Sequence, residues 1–240
     1  MAAASTRVHG LQTGKKVKNL ETGEFYTTAI YYDDRARVIQ TLSQQQIGAT
    51  VRSSTAYNFE DQPTHSLMTN SLSSNYRVQR IYNYNVIGQV ASISHKTGSG
   101  TAKTIVQYTY DDLGRQVGKT FPTVASTANQ TSTYNIRGWA KCINSPTGTD
   151  PLFGMELFYE SGATTNLWNG NITRMNWKGR DNVGRRYNYS YDPAGRITGS
   201  AYTVPSATAQ NNRYNISGIT YDPNGDITAM QRHNQRTASS

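Results

Sequence analysis

Aromatic or aliphatic residues alternate with polar ones in short runs along much of the chain. Tyr187-Asn-Tyr-Ser-Tyr191 and Tyr108-Thr-Tyr110 each precede a turn sequence, and β-branched residues such as Ile197 and Thr198 follow one. A period of two is typical of β-strands, because successive side chains point to opposite faces of a sheet. The pattern predicts strands with one buried face and one solvent-exposed face, joined in pairs as β-hairpins.

The strands flank a unit that recurs eight times: Tyr, Asp or Asn, two variable residues, Gly, a polar residue and an aliphatic one. The clearest copies begin at Tyr191 and Tyr221, and those at Tyr84 and Tyr110 follow closely. Successive tyrosines from the copy at position 32 to that at 134 are 24–27 residues apart, which is the length of one hairpin. The degenerate copies are Tyr32–Val38 with Ala36 for the glycine, Tyr57–Gln62 with Asp61 for it, Tyr134–Trp139, and Asn166–Ile172, which keeps Gly170 but lacks a tyrosine.

The unit carries the residues of a type I turn. In Asp192-Pro-Ala-Gly195, Asp is first, Pro second and Gly fourth, and the carboxylate can accept the backbone N–H two residues on. Glycine supplies the left-handed conformation from which a strand leaves such a turn, so Ala36 predicts a looser or different turn. The predicted turn residues are Tyr110, Asp111, Gly114, Tyr191, Asp192, Gly195, Tyr221, Asp222 and Gly225.

A single hairpin is marginally stable in water, so successive hairpins are expected to stack side by side. The sequence therefore predicts an all-β fold in which antiparallel hairpins form a continuous, curved or spiralling sheet. Three regions are expected: a lead-in segment at 1–30 with possible first strands, a repeat region of about eight units at 31–230, and a polar tail at 231–240.

The repeated unit, as in Tyr191–Ile197, resembles the YD-repeat, or Rhs, family, and the similarity covers Tyr31–Met230. The segments Tyr31–Ile39, Tyr134–Trp139 and Leu152–Leu157 are similar to the bacterial wall-associated branch of that family. The resemblance implies a long β-sheet that spirals into a hollow shell. In full-length relatives such a shell encloses a C-terminal toxin or another cargo, which is cleaved and released.

Two departures from the family pattern indicate a partial repeat segment. Relatives are far longer, and the motif that closes their repeat core, Asp-Pro-x-Gly-x-Arg followed by Tyr-Tyr-Asp-Pro, is absent from these 240 residues. The chain is expected to be part of a shell wall whose partners are the rest of the shell and its cargo. The parent protein is expected to be secreted or at the cell surface, and exposed sheet edges are expected to favour self-association.

Composition excludes several other classes of protein. The 17 tyrosines and the many threonines favour strands over a coiled coil or a helical bundle. No apolar stretch approaches the roughly 20 residues of a membrane-spanning helix, and the first residues lack the hydrophobic region of a secretory signal. Cys142 is the only cysteine, which excludes an intrachain disulfide and a Cys-rich zinc site.

No set of residues indicates catalysis, a cofactor or a metal. The pairs Asp33-Asp34 and Asp111-Asp112 begin repeat turns, so we interpret them as turn residues and not as acid/base pairs. None of the four histidines has a His or Cys partner at metal-ligand spacing. A hydrolase would need a Ser/His/Asp set or a carboxylate pair, and neither is evident, so the chain is expected not to be an enzyme. The histidines are His9, His65, His95 and His233.

A basic, aromatic stretch from Trp168 to Arg186 is the candidate binding segment. Its second part, from Arg174, has a local charge of +4, and the whole chain has a net charge of +9. Such a segment could bind nucleic acid or an anionic glycan through charge and aromatic stacking, which makes a carbohydrate- or polyanion-binding module the alternative to a shell wall. A solvated loop between hairpins is the simpler interpretation. The candidate polyanion-binding residues are Arg174, Trp177, Lys178, Arg180, Arg185 and Arg186.

The turn assignment predicts different effects of two neighbouring substitutions. Gly195→Val places a β-branched residue in a left-handed conformation, and Pro193 prevents the turn from shifting to relieve the strain. We expect Gly195→Val to lower the free energy of unfolding by about 1–3 kcal/mol. Ala194→Ser should stay within about 0.5 kcal/mol of the parent. Urea denaturation measures both, and equal midpoints would contradict the assignment.

Overall fold

The computed structural model describes residues 3–46, 48–125, 128–148, 152–160 and 167–234. The chain divides into two compact units. The first comprises residues 1–109 and 120–124, and the second comprises residues 110–119 and 125–240. This division falls inside the predicted repeat region 31–230. Hairpins of the repeated unit therefore occur in both compact units.

The first unit is a meander in which each strand pairs antiparallel with the next. β1 and β2 give the predicted lead-in segment two strands. The strands are β1 (Gly14–Lys18), β2 (Phe25–Tyr32), β3 (Val38–Gln44), β4 (Thr50–Tyr57), β5 (Pro63–Asn70), β6 (Ser73–Tyr84), β7 (Val90–Thr97) and β8 (Lys103–Tyr110).

The second unit repeats the same antiparallel order. A short 3-10 turn at Thr208–Gln210 joins β15 to β16. In the part of the chain that the structure describes, no helix is long and apolar enough to cross a membrane. The strands are β9 (Gln116–Thr120), β10 (Gln130–Tyr134), β11 (Ala140–Ile143), β12 (Gly154–Phe158), β13 (Arg174–Lys178), β14 (Gly184–Tyr191), β15 (Ile197–Thr203), β16 (Ile216–Tyr221) and β17 (Ile227–Arg232).

The prediction of an all-β fold built from antiparallel hairpins is confirmed. The predicted 231–240 tail begins inside β17, and residues 235–240 lie outside the described residues. Each YD unit supplies the end of one strand, a tight turn and the start of the next strand. The tyrosines Tyr110, Tyr191 and Tyr221 end β8, β14 and β16.

Some strands do not have the one buried and one exposed face that the alternating pattern predicted, whereas β10 alternates between half-buried and exposed residues. All five residues of β9 and seven of the eight in β7 are half-buried. β7 and β9 therefore lack the fully buried face that a packed second layer would give them.

The first strand of the first unit, β1, and the last strand of the second unit, β17, should differ in their tendency to associate. β1 and β17 are exposed along their whole lengths. β1 carries Lys15, Lys16 and Lys18, and lysines disfavour the approach of another strand, whereas β17 carries only Arg232. We expect concentration-dependent self-association through β17, and Ala229→Lys should reduce it.

Val17→Lys on β1 is the matched control and should leave the association unchanged. Sedimentation velocity over a wide range of concentrations measures both variants beside the parent. A parent that stays monomeric throughout would contradict the assignment, as would an equal effect of the two substitutions.

Candidate functional site

Seven YD turns share one hydrogen-bonding scheme. In the turn at Asp192, its N–H donates to Arg196 O at 2.9 Å and its carbonyl accepts from Gly195 N at 2.9 Å. The side-chain Oδ1 of Asp192 also accepts the N–H of Arg196. One carboxylate or amide thus closes each turn from its first position. The first residues of the seven turns are Asp33, Asn58, Asn85, Asp111, Asn135, Asp192 and Asp222.

The fourth turn residue is left-handed in all seven turns. Gly114, Gly195 and Gly225 have φ of 77°, 80° and 94°, and Ala36 has 60°. The expectation of a looser turn at Ala36 is wrong, because its N–H donates to Asp33 O at 3.0 Å as in the other turns. Asp33 at the start of this turn is 3% exposed, and its carboxylate accepts two backbone N–H groups, as that of Asp111 does in a turn with glycine.

The tyrosine that opens each unit joins it to the unit before. Tyr57 donates its O–H to Val38 O at 3.0 Å, and Tyr134 donates to Gln116 O at 2.9 Å. In these bonds the acceptor lies six residues after the previous unit's tyrosine. Tyr84, Tyr191 and Tyr221 make corresponding bonds to Pro63 O, Ile172 O and Ile197 O.

Tyr159 is a unit tyrosine that the sequence reasoning missed. It donates to Ala140 O at 2.8 Å, and Ala140 lies six residues after Tyr134. The copy described as lacking a tyrosine therefore has one, separated from its turn by an insertion. The spacing of 25 residues from Tyr134 was the available signal. The beginning of that copy, Asn166, lies outside the described residues.

A further degenerate turn precedes the first recognised unit. Tyr32 donates its O–H to Gln12 O at 2.8 Å. Gln12 closely follows Gly10, which has φ of 80° and lies 26 residues before Ala36. Part of the predicted lead-in segment thus supplies the acceptor for the first unit's tyrosine.

A coupling residue lies four positions after the first turn residue and reaches the next unit. Arg37 Nε donates to Asp33 Oδ2 at 2.7 Å, and its guanidinium lies 4.8 Å from the ring centre of Tyr57. Arg37 Nη1 also donates to Asn58 O at 3.1 Å. One side chain therefore joins its own turn to the tyrosine and the turn of the following unit. Arg115 and Arg196 make the same set of contacts with Asp111, Tyr134 and Asn135 and with Asp192, Tyr221 and Asp222.

Two turns use an uncharged version of the same coupling. Asn58 Nδ2 donates to Gln62 Oε1 at 2.9 Å, and Gln62 Nε2 donates to Gly88 O in the next turn at 2.7 Å. Asn85 is bonded in the same way to Gln89 at 3.1 Å. Aspartate is thus matched with arginine and asparagine with glutamine. The correlation is visible in the sequence.

Two turns depart from both versions. At Asn135 the coupling position is Trp139, whose ring centre lies 5.0 Å from that of Tyr159, and Asn135 Nδ2 is buried without a hydrogen bond. At Asp222 the coupling position is a second carboxylate, Asp226. The charged and amide couplings are therefore present at five of the seven turns.

Three coupled carboxylates have lowered pKa values. Burial raises the pKa of Asp33 and Asp111, but hydrogen bonds from Arg37 and Arg115 outweigh it. For Asp192 the backbone N–H of Arg196 is the largest cause of the lower pKa. These carboxylates are thus held ionised by their own turns, and the couplings should persist in mild acid.

The predicted polyanion-binding residues do not form one surface. The register of β13 and β14 places Arg174 and Lys178 on one face of the sheet, and Trp177 and Arg185 on the other. Trp177 stacks on Tyr187 with ring centres 5.1 Å apart. The sequence stretch is therefore divided between two faces, and its predicted role in binding polyanions stays a prediction.

Two of its cations are already engaged within the chain. Lys178 is buried and donates to Gly148 O. Arg185 forms an ion pair with Asp181. The hydrogen bond from the Arg185 side chain is the largest cause, and the N–H of Val183 the second, of the lowered pKa of Asp181, which is about 2. Arg180 is exposed in the connection after β13. Only Arg174 and Arg186 remain together on one face.

Comparison with known proteins gives matches among solved structures alone. No protein-family model and no curated protein matches the chain. It is similar to the TcdB2–TccC3 crystal structure with 14% identity over 98% of this chain and 15% of that one, and a TM-score of 0.38. The Tc holotoxin pore of Photorhabdus luminescens matches with 14% identity over 90% and 12%, and a TM-score of 0.35.

A porin-like protein from Bacteroides uniformis also matches, with 10% identity over 91% of each chain and a TM-score of 0.30. The chain thus spans about one eighth to one seventh of the length of the two Tc chains.

Exchanging a charged coupling for an amide coupling tests the pairing. Asp111→Asn and Arg115→Gln should each lower the urea midpoint, because each leaves one partner mismatched. The double variant should recover more than half of the loss, since it recreates the arrangement of Asn85 and Gln89. Asp112→Asn, at the exposed neighbouring carboxylate, is the control and should have little effect. Equal midpoints for Asp111→Asn and Asp112→Asn would contradict the coupling.

The parent and the double variant should also differ in how their stability depends on pH. Because the pKa of Asp111 is lowered on folding, its contribution is fully present above the unfolded pKa of about 3.9 and is lost as the pH falls through the folded pKa. The parent should therefore lose more stability than the double variant between neutral pH and strong acid. Urea midpoints measured at several pH values test this, and parallel curves would contradict it.

Proposed function

We propose that the chain is a non-enzymatic structural segment of the wall of a larger Rhs/YD-type shell. The shell would be secreted or at the cell surface and would enclose or present a toxin or another cargo. The partners of the chain are then the remaining hairpins of the shell and its cargo domain. The proposal rests on the resemblance of the repeated unit and on the way in which the units are joined.

The observation that carries the proposal is the recurring tyrosine bond between units. Tyr57, Tyr134 and Tyr221 donate to main-chain carbonyls of the unit before. A main-chain carbonyl exists in every hairpin whatever its side chains. Each added hairpin can therefore make the same tyrosine bond to the hairpin before it. This is the contact that an extended wall requires, whereas a closed globular domain would need a different contact at each layer.

Two further observations agree with a wall. The half-burial of β7 and β9 on both faces suits a sheet that separates an inside from an outside, because neither strand has a fully buried face. The carboxylates that the sequence offers as acid/base pairs are committed to structure, since Asp33 and Asp111 bind turn N–H groups and arginines. These contacts favour a structural role over catalysis.

The test uses the natural open reading frame that encodes this chain. Its product should form hollow particles in negative-stain electron micrographs, and an enclosed segment should resist trypsin until the particles are unfolded. A product without an internal cavity and without protected sequence would contradict the proposal.

Variants in the same product test whether the unit junctions form the wall. Tyr134→Phe combined with Tyr191→Phe removes two O–H donors, each worth about 1 kcal/mol, and should speed the cleavage of the enclosed segment. The control is Tyr31→Phe at an exposed tyrosine. Equal rates of cleavage for the two variants would show that the junctions do not close the wall.

A further inference from the structure

Arg174 and Arg186 are neighbours on one face of the second unit. Arg174 lies opposite Asn188, and Arg186 lies opposite Asn176, in the pairing of β13 with β14. The two arginines therefore occupy diagonal positions, a separation that long side chains can bridge. Both are half-buried.

Asparagines orient both guanidinium groups. Arg174 Nε donates to Asn188 Oδ1 at 3.1 Å, and Arg186 Nε donates to Asn176 Oδ1 at 3.0 Å. Arg174 also lies over the ring of Phe158, 5.3 Å from its centre. Each guanidinium is fixed through one N–H, and its remaining donors form no hydrogen bond with the described residues.

The two positive charges are held together without an ion pair. None of the ion pairs among the described residues includes Arg174 or Arg186. Burial lowers the pKa of Arg174, and the positive charge of Arg186 lowers it further. Glu156 on β12, which lies opposite Asn176, raises it. Lys178 lies on the same face and donates to Gly148 O, so three cations face one carboxylate and leave an excess of two positive charges. Such an excess favours the binding of an anion through charge-assisted hydrogen bonds.

We propose that Arg174 and Arg186 form a binding site for an oxyanion of the phosphate or sulfate type. Their guanidinium groups can donate pairs of N–H bonds to such a group, with asparagines holding each one in place. The ligand group could belong to a phosphodiester or to a sulfated glycan, which share this chemistry. The inference is independent of the proposed shell.

The proposed site contains two of the six polyanion-binding residues predicted from the sequence. Lys178 and Arg185 are engaged elsewhere, and Trp177 is on the opposite face. Arg180 is exposed but lies outside β13 and β14. Arg180 is therefore a matched control, because its removal changes the net charge equally and leaves the proposed site intact.

The experiment measures stabilisation by inorganic sulfate and phosphate in thermal unfolding, at constant ionic strength adjusted with chloride. Ligand that binds the folded state raises the melting temperature with concentration. We expect both anions to stabilise the parent, and Arg174→Gln or Arg186→Gln to weaken binding at least about tenfold. Arg180→Gln should bind as the parent does. An equal loss in all three variants, or no stabilisation of the parent, would overturn the proposal.

A second measurement separates anion binding from a purely structural role. Without sulfate or phosphate, Arg186→Gln should unfold close to the temperature of the parent, because removal of a like charge opposes the loss of the bond to Asn176. If Arg186→Gln lowered the melting temperature equally with and without the anions, Arg186 would serve packing alone and the proposal would be overturned. Competition by a heparin fragment and by a thymidine oligonucleotide then distinguishes the sulfated from the phosphodiester source.

Discussion

The tyrosine O–H bond to the preceding unit is the contact on which the rest of the structure depends. β7 and β9 have no fully buried face, and a single hairpin is marginal in water. A tyrosine covers its neighbour with an aromatic ring and satisfies its own hydroxyl on the main chain. Tyr159 illustrates the importance of this contact, because the bond to Ala140 O is retained even though an insertion separates the tyrosine from its turn.

The coupling residues add a second contact whose chemistry varies while its geometry is kept. Arg37 binds the carboxylate of its own turn and reaches forward to a ring and a carbonyl. Gln62 accepts from the amide of its own turn and reaches forward to a carbonyl. Both side chains have a planar end group that bonds in two directions. An asparagine Nδ2 opposite an arginine Nε would place two donors together, which agrees with the pairing of asparagine with glutamine at Asn58 and Asn85.

The sequence predicted the features that depend on residues close together in the chain. The turn at Asp192 could be predicted because the aspartate, proline and glycine that define it lie within four positions. The bonds between units could not, because donor and acceptor such as Tyr57 and Val38 are 19 residues apart. Periodicity predicted strands, but it contains no information on whether a second layer covers a face.

The basic stretch shows the same limit in the candidate binding site. Trp177 and Arg174 are close in sequence, and the alternation along β13 separates them onto opposite faces. The pairing of Arg174 with Asn188 and of Arg186 with Asn176 depends on strand register. Register is set by the turn and the neighbouring strands, so a local reading of composition could find the residues but not the arrangement.

A charged or amide coupling residue bonds to the first residue of its own turn, so a hairpin that contains both carries this pair with it when the gene changes. Arg115 bonds to Asp111 in its own turn, and across the junction it contacts a main-chain carbonyl and a tyrosine. A duplicated or transplanted hairpin of this kind carries its own complement and meets the same acceptors at a new position. The junction after Arg37 is more specific, because Arg37 also pairs with the carboxylate of Asp61 in the next turn. Hairpins with the Arg115 type of junction are therefore the natural units of recombination.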